Sequence, residues 1–378
     1  MPFFPRAPVR IQPYFGYRNR TALHISARAL RAAPSNFSRT GGTWQAIRTM
    51  LAQFLSHEVE GLAVELEIET PGGLRRYEGC SNREGFIHFD VETGEWPLGP
   101  HSNWDVVRLK WHNEAGPQSV RGYVKAPPAE PRISVISDID DTIIETGINK
   151  GFRSLVRNWK RVFAQMPNER LQVPEAAVFY AALGGGATPE TSAGTPCGAM
   201  PPATRRPFFY VSSSPWNLFS YLVAFQEVHD LPLGPIFLRD WSLSRKTFGE
   251  ASHGGHKRQA IGTILETYPD TRFALIGDDT QGDFAAFADV IEAYPGRVAA
   301  VFIRNAGDTL SADKLAAQDA IEASGVPLWT GSDYSTGRAF LDAAGLSHDE
   351  DAAQIVETVE KPNAARDKAS VPVQRKTR

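Results

Sequence analysis

Four places in the sequence carry side chains that could together hold a phosphate group and a metal ion. In chain order they are Asp138, Asp140 and Asp141, then Ser212–Ser214, then Lys257, and finally Asp278, Asp279 and Asp283. Carboxylates this close in a chain repel one another unless a cation compensates their charge. Mg²⁺ is commonly held by one or two carboxylates together with phosphate and water. The pattern therefore indicates a site for a phosphate compound and a divalent ion.

Each of these features has a simpler explanation when taken alone. An acidic triplet is often a solvated turn, Ser214 followed by Pro215 can begin a helix as its N-cap, and Lys257 can be a surface charge. What favours a shared site is their position, because each group follows or lies between apolar segments that have the length of buried strands.

The elements that would position these residues predict a parallel sheet covered by helices. The apolar runs are 133–137, 208–211, 236–238, 273–276 and 298–303, and helical spacing occurs between them, as at 218–228 and 261–268. This alternation is typical of the α/β class with a doubly wound parallel sheet. In such sheets ligands bind at the carboxyl ends of the strands, which is where the acidic and hydroxyl residues fall.

The N-terminal third has a different pattern, of period two. Leu62, Val64, Leu66 and Ile68 alternate with Ala63 and three glutamates, and shorter alternations occur at 86–89, 107–111 and 120–124. Such alternation predicts half-buried antiparallel strands. Apolar residues at helical spacing in 44–55 add one helix.

These patterns predict the following domain organisation. We expect a smaller β-rich domain at 1–126, a proline-rich linker at 127–131, a catalytic domain at 132–345 with a flexible Gly/Pro-rich insertion at 184–207, and a mostly disordered tail at 346–378.

Composition excludes several classes of protein. The 378 residues are 42% hydrophobic and 22% charged, which rules out wholesale disorder, and a net charge of −3 argues against nucleic acid as a partner. Cys80 and Cys197 form neither a disulfide framework nor a zinc cluster, which favours a reducing compartment. No apolar run reaches the roughly 20 residues that span a bilayer. We expect a soluble, cytoplasmic protein.

The order of the motifs resembles that of the haloacid dehalogenase superfamily, whose phosphohydrolases use an aspartate nucleophile. Over about residues 130–305 the flanks also look like the App1 family of Mg²⁺-dependent phosphatidate phosphatases. The matching segments are 138–147 (DIDDTIIETG), 210–218 (YVSSSPWNL), 238–241 (LRDW), 256–257 (HK) and 276–283 (IGDDTQGD). The family usually has Asn in place of Ser213 and Ser in place of Asp279, which bears on substrate recognition more than on the reaction.

The resemblance implies a haloacid dehalogenase-like fold and a role for each matching residue. It makes Asp138 the nucleophile, Asp140 the general acid and base, and Asp138, Asp278 and the Asp140 carbonyl the ligands of Mg²⁺. It assigns phosphate binding to Ser212 and Lys257. Thr142, Ser213, Asp279 and Asp283 would support the site, while Trp216, Asn217 and Arg239 are candidates for substrate contact.

The substrate implied by the resemblance is phosphatidate, which would be hydrolysed to diacylglycerol and phosphate. Basic and apolar residues at helical spacing in 151–170 could lie on an anionic membrane as a peripheral contact, although an ordinary helix packed on the sheet would show the same pattern. Two alternatives stay open. One is a phosphomonoesterase acting on a soluble or protein substrate, and the other is an inactive lipid- or protein-binding module.

Overall fold

The computed structural model describes residues 8–31, 57–130, 133–139, 142, 173, 175–186, 201–239, 253–280, 282–305 and 311–343. Several predictions lie outside these residues. They are the helix at 44–55, the basic segment at 151–170, the central part of the insertion at 187–200, and the C-terminal tail.

Nine strands of the described chain form one sheet, called here the N-terminal sheet. They are β1 Val9–Pro13, β2 Gly16–Arg18, β3 Ala22–Arg31, β4 His57–Glu58, β5 Ala63–Thr70, β6 Gly73–Cys80, β7 Phe86–Glu92, β8 Asn103–Asn113 and β9 Gly116–Ala126. The order is β1-β3-β2-β9-β8-β5-β6, with β4 and β7 paired to β3. Its strand pairs are antiparallel except for β2 with β9.

The period-two predictions in this half are confirmed, because three of the four segments lie within observed strands and the fourth does except for Leu62, one residue before β5. Alternate residues such as Leu66, Ile68 and Leu109 form one apolar core with Ile25 and Val124. Burying an aliphatic side chain of this size contributes about 1.5–3 kcal/mol. The same alternation in β3 went unpredicted, although Leu23, Ile25 and Ala27 show it clearly.

Six further strands of the described chain form the C-terminal sheet, and they are all parallel. They are β10 Ile133–Asp138, β11 Phe208–Pro215, β12 Ile236–Arg239, β13 Arg272–Asp278, β14 Val298–Arg304 and β15 Leu328–Gly331. The order is β12-β11-β10-β13-β14-β15. The chain therefore moves outward from β10 to β12 and then restarts on the other side of β10. The carboxyl ends of β10 and β13 flank this reversal, where open parallel sheets bind ligands.

Helices cover both faces of this sheet. They are α1 Ala176–Leu183, α2 Phe219–Val228, α3 His253–Thr267, α4 Asp283–Ala293, α5 Ala312–Ala323 and α6 Tyr334–Ala343. Val135 belongs to an apolar cluster with residues of α1, α2 and α6, whereas Ile136 belongs to a second cluster with residues of α3, α4 and α5. Consecutive strand residues point to opposite faces, so the sheet lies between two helical layers. A mixed α/β architecture with all five predicted apolar strands is thereby confirmed.

None of the described helices is long and apolar enough to cross a membrane.

One local prediction is wrong. Ser214 is not a helix N-cap, because β11 continues to Pro215 and the next turn is a 3₁₀ helix at Trp216–Leu218 without a side-chain cap. The described ends of the predicted insertion make hydrogen bonds to the rest of the protein. Arg206 donates to the Leu183 carbonyl at 2.9 Å, and the Pro202 carbonyl accepts from the Trp104 indole at 3.2 Å.

Lys125 on β9 is a buried cation that the predicted site does not use. The side chain is 0% exposed, and its ammonium has no hydrogen-bond partner in the described structure, although it lies 4.7 Å from the centre of the Trp104 ring. Burial lowers the pKa of Lys125 to about 7, because a charge without a partner is poorly solvated in the interior.

The Lys125→Met substitution should raise stability in a pH-dependent way. Below about pH 7 the amine is protonated in both the folded and the unfolded state, so the folded state bears the full cost of the buried charge, on the order of 5 kcal/mol. As the pH rises toward 10.5 only the unfolded state keeps the proton, and the cost disappears. Urea unfolding from pH 6.5 to 10 should show a rising free energy of unfolding in the original chain and a flatter, higher curve in Lys125→Met. Lys314→Met, on the surface of α5, is the control. Equal slopes in both proteins would contradict the prediction.

Candidate active site

Asp138, Lys257 and Asp278 come together at the point where the strand order reverses. Asp138 ends β10, Asp278 ends β13, and Lys257 lies in the first turns of α3. Lys257 Nζ is 2.9 Å from Asp138 Oδ1. The carboxylate oxygens of Asp138, Asp278 and Asp283 lie within 4.8 Å of one another. Residues separated by up to 145 positions in the sequence thus meet because parallel strands present their carboxyl ends at one edge.

Asp283 supports this cluster from inside the protein. Its Oδ1 accepts from Lys257 Nζ, and its Oδ2 accepts from the backbone N–H of Asp278 at 3.0 Å. A β-carbon on Gly277 would overlap the Asp283 carboxylate, lying 2.8 Å from its Cβ. The glycine therefore allows α4, which begins at Asp283, to approach the end of β13. Both oxygens of Asp283 thus have protein donors, which fix its carboxylate behind the cluster.

Two threonines fix the orientation of the carboxylates. The Thr142 hydroxyl lies 3.1 Å from Asp138 Oδ2 and 3.3 Å from Asp278 Oδ2. The Thr280 backbone N–H and hydroxyl both donate to Asp278 Oδ1. Neutral donors of this kind restrict a carboxylate without removing its negative charge.

The electrostatics of the cluster suit a divalent cation. Asp138, Asp278 and Asp283 are at most 3% exposed, and together with Lys257 they leave two negative charges in excess. Burial and the neighbouring Asp283 raise the pKa of Asp278. Without a bound cation, the negatively charged form of Asp278 is therefore disfavoured. Burial alone would lower the pKa of Lys257, but the attraction of Asp138, Asp283 and Asp278 outweighs it and raises that pKa. The lysine therefore stays charged, and a cation beside Asp138 and Asp278 would complete the balance.

The hydroxyl residues of β11 lie at the adjacent strand end. Val211 pairs with Asp138 in the register of β10 and β11, so Ser212 follows at the edge of the sheet. The Ser212 Oγ accepts from the Ser214 backbone N–H at 3.0 Å. The Ser213 hydroxyl is fully buried and has no hydrogen-bond partner among the described residues.

Sequence reasoning missed three residues that hold the strand end from behind. The Ser137 hydroxyl donates to the Asp138 carbonyl at 2.7 Å and lies 2.6 Å from the Tyr180 hydroxyl. The Tyr334 hydroxyl donates to the Thr142 carbonyl at 3.1 Å. Tyr180 occurs in the apolar helix α1 and Tyr334 is the first residue of α6, and in the sequence both look like ordinary core residues.

Of the remaining predicted site residues, those that the structure describes lie outside this cluster. Asp279 is buried next to Asp278, and its backbone N–H donates to the Arg304 carbonyl at 3.0 Å. Asp140 and the side chain of Arg239 lie outside the described residues. Trp216 and Asn217 face the N-terminal sheet, where Trp216 packs 4.6 Å from the ring of Tyr14. Their proposed contact with substrate stays a prediction.

A large groove elsewhere does not coincide with this chemistry. It has a volume of about 940 Å³ and lies on β5, β6, β8 and β9, where its walls include Trp111, Lys110 and Cys80. None of the buried strand-end carboxylates lines it. The candidate site is therefore identified by the convergence of charged residues and not by the size of a groove.

The parallel sheet between two helical layers, with carboxylates and a lysine at its strand ends, defines an α/β protein whose site suits a cation and an anionic ligand. A family model described as "Phosphatidate phosphatase APP1, catalytic domain" matches residues 133–305. This region is similar to the catalytic domain of the APP1 phosphatidate phosphatase family, and the resemblance seen in the sequence is confirmed.

Two curated relatives extend the comparison. The chain is 30% identical over 262 residues to "Phosphatidate phosphatase APP1" of Saccharomyces cerevisiae, covering 68% of this chain and 40% of the relative. It is 23% identical over 251 residues to an uncharacterized protein of Schizosaccharomyces pombe, covering 61% of this chain and 35% of that one. The chain thus spans about two fifths or less of the length of these relatives.

The solved structures add nothing about the fold. A family 39 glycoside hydrolase from the gut symbiont Bacteroides cellulosilyticus WH2 aligns with a TM-score of 0.19 and 10% identity, over 78% of this chain and 50% of that chain. A similarity at that score does not indicate a shared fold.

The Gly277→Ala substitution should destabilise the protein strongly. The added methyl group must displace the Asp283 carboxylate, which takes an acceptor away from Lys257 and leaves buried charges poorly paired, at a cost of about 3 kcal/mol or more. Urea unfolding measures the effect. Gly255→Ala is the matched control, because a β-carbon there meets no atom within 4 Å, and its stability should stay within about 0.5 kcal/mol. A similarly small change at Gly277 would mean that Asp283 is not held in this way.

Proposed function

We propose that this chain is a Mg²⁺-dependent phosphatase that hydrolyses phosphatidate to diacylglycerol and phosphate through an aspartyl-phosphate on Asp138. The single observation that carries the proposal is the cluster of Asp138, Asp278 and Lys257 at adjacent strand ends. We also propose that the sheet is of the doubly wound, haloacid dehalogenase-like type, and that the chain divides into domains at 1–126 and 132–345. The strand order and the two helical layers support the fold assignment.

Asp138 is the proposed nucleophile because its carboxylate lies beside a lysine and is held in a fixed orientation. Lys257 neutralises part of its charge and Thr142 binds its second oxygen. An oxygen of Asp138 attacks phosphorus, the bond from phosphorus to the ester oxygen breaks, and the leaving alkoxide takes a proton. The resemblance assigns that proton to Asp140, which would then accept one from the water that hydrolyses the phosphoenzyme.

Lys257 and Ser212 are the proposed phosphate-binding residues. The ammonium of Lys257 keeps its charge at neutral pH, since the surrounding carboxylates raise its pKa. It can attract the equatorial phosphoryl oxygens while still pairing with Asp283. The Ser212 hydroxyl can donate one hydrogen bond to the same group.

Asp138 and Asp278, together with the Asp140 carbonyl, are the proposed ligands of Mg²⁺. Bound there, the ion would offset the repulsion between the Asp138 carboxylate and the incoming phosphate. The donor set consists of hard oxygen atoms, which Mg²⁺ prefers, and the excess negative charge of the cluster supports the assignment.

Phosphatidate is the proposed substrate because the yeast relative carries that name, and peripheral contact with an anionic membrane is proposed with it. A soluble or protein phosphomonoester is the alternative, since the described cluster recognises the phosphoryl group and not the rest of the molecule. An inactive binding module is less well supported, because every described chemical position holds a residue able to perform its role.

The Asp138→Asn substitution should abolish turnover. An amide is neutral and a poor nucleophile, so we expect a loss of at least about 10⁴-fold in kcat with the fold retained. Phosphate release measures activity, and circular dichroism with urea unfolding measures the fold. Asp319→Asn, an exposed acid on α5, is the control and should keep full activity. Near-normal activity in Asp138→Asn would show that another residue is the nucleophile.

A substrate and metal series separates the candidate functions. Phosphate release should be high from phosphatidate in mixed micelles with Mg²⁺ and low with excess EDTA, and it should return when Mg²⁺ is added back. Water-soluble phosphate esters should be hydrolysed at least about 10-fold less efficiently, because they lack the acyl chains. Equal or faster hydrolysis of the soluble esters would favour the alternative substrate, and no release under any condition would favour the binding module.

A further inference from the structure

We propose that Arg28 of the N-terminal sheet is a positioning residue that holds the phosphate-binding segment of β11 through Asn217. The loss of activity expected when this contact is removed rests on the proposed phosphatase function. The N-terminal sheet would then be part of the catalytic apparatus and not a separate binding module.

The side chain of Arg28 is bound at every branch of its guanidinium group. Its Nη1 donates to Asn217 Oδ1 at 2.6 Å, its Nη2 donates to Glu58 Oε1 at 2.9 Å, and its Nε donates to the Glu84 carbonyl at 3.0 Å. Arg28 is only 8% exposed. A buried guanidinium bound on three sides has one well-defined position, so it can hold Asn217 firmly.

Aromatic packing joins the same two parts of the protein. The Arg28 guanidinium lies 4.8 Å from the centre of the Phe86 ring, and Phe86 in turn lies 5.6 Å from Trp216. The ring of Tyr14, which lies between β1 and β2, packs 4.6 Å from the ring of Trp216. The 3₁₀ turn at Trp216–Leu218 is thus held by both a charged hydrogen bond and ring contacts from the N-terminal sheet.

The end of β11 is the irregular part of this strand. Its pairing with β10 ends at Asp138 and Val211. Its pairing with β12 includes Ser212 and Leu238, and the register then shifts before Pro215. Ser213 and Ser214 lie within this shift, and the bond from Arg28 holds the chain just beyond them, at Asn217.

Small displacements at this position matter to a phosphate-binding group. A shift of about 1 Å in a residue that positions a substrate can lower the rate about 100-fold. Ser212 is five residues before Asn217, with only a strand end and the start of a turn between them. Loss of the bond from Arg28 to Asn217 should therefore loosen Ser212 and its neighbours.

A second hydrogen bond between the two halves supplies a matched control. Gln12 Nε2 donates to Ser220 Oγ at 2.7 Å. This bond also crosses from the N-terminal sheet, but it reaches α2 and not the segment at 212–217. Gln12→Ala and Asn217→Ala thus each remove one side-chain hydrogen bond between the same halves, and only Asn217→Ala should disturb the phosphate-binding serines.

The first measurement is kinetic and uses a double-mutant cycle on the full-length chain. Asn217→Ala and Arg28→Lys should each lower kcat/KM for the preferred phosphomonoester by about 10-fold or more, and the double variant should lose no more than the worse single variant. Gln12→Ala should stay within about 2-fold of the original chain, with a similar melting temperature to Asn217→Ala. A double variant whose loss equals the product of the two single losses would overturn the proposal, because the residues would then act independently.

The second measurement does not need enzymatic activity. Hydrogen exchange of the backbone amides at 212–218 should be faster in Asn217→Ala than in Gln12→Ala, and this comparison stands even where Arg28→Lys fails to fold. Unchanged exchange at 212–218 in Asn217→Ala would overturn the proposal while leaving the phosphatase function intact. Absence of phosphate release from the original chain would overturn the phosphatase function, and the exchange rates would still decide the role of Arg28.

Discussion

The ion pairing of Lys257 with Asp138 and Asp283 is the interaction on which the rest of the site depends. Carboxylates buried this deeply would lose ionisation or drive the strand ends apart unless a cation lay between them. Lys257 supplies one positive charge from α3, and Gly277 lets α4 come close enough for Asp283 to share it. The remaining negative charge is what makes the site suitable for a divalent ion.

Residues outside the region that matches the family model help to hold the strand-end segments in place. Residues 133–305 contain the cluster itself. Yet Tyr334, in α6, donates to the carbonyl of Thr142, and Arg28, in the N-terminal sheet, binds Asn217 beyond the end of β11. A loop at the end of a parallel strand has few backbone partners of its own. Neighbouring elements therefore decide how rigidly it presents its side chains.

Much of the fold and the core of the candidate site could be predicted from the sequence. The supporting residues that were missed share one physical cause. Buried parallel strands are continuous apolar runs, and half-buried strands alternate, so both leave a local pattern. Asp138 and Asp278 could be identified because they stand at the ends of such strands, and Lys257 because the order of the motifs resembles a known family. Ser137 and Tyr180 could not, because a hydroxyl that bonds another hydroxyl deep in the core looks in the sequence like any other buried residue.

Local patterns in the chain specify which segments become strands and helices, and which charged residues lie at strand ends, since these properties depend on neighbours within a few positions. The packing of the elements, in contrast, brings Asp283 to face Lys257 with one oxygen and the Asp278 backbone with the other. It also decided that Asn217 turns toward Arg28, 189 residues earlier in the chain. Such partners are selected by the way sheets and helices pack, and a one-dimensional pattern contains no information on which distant side chain will fill a given contact.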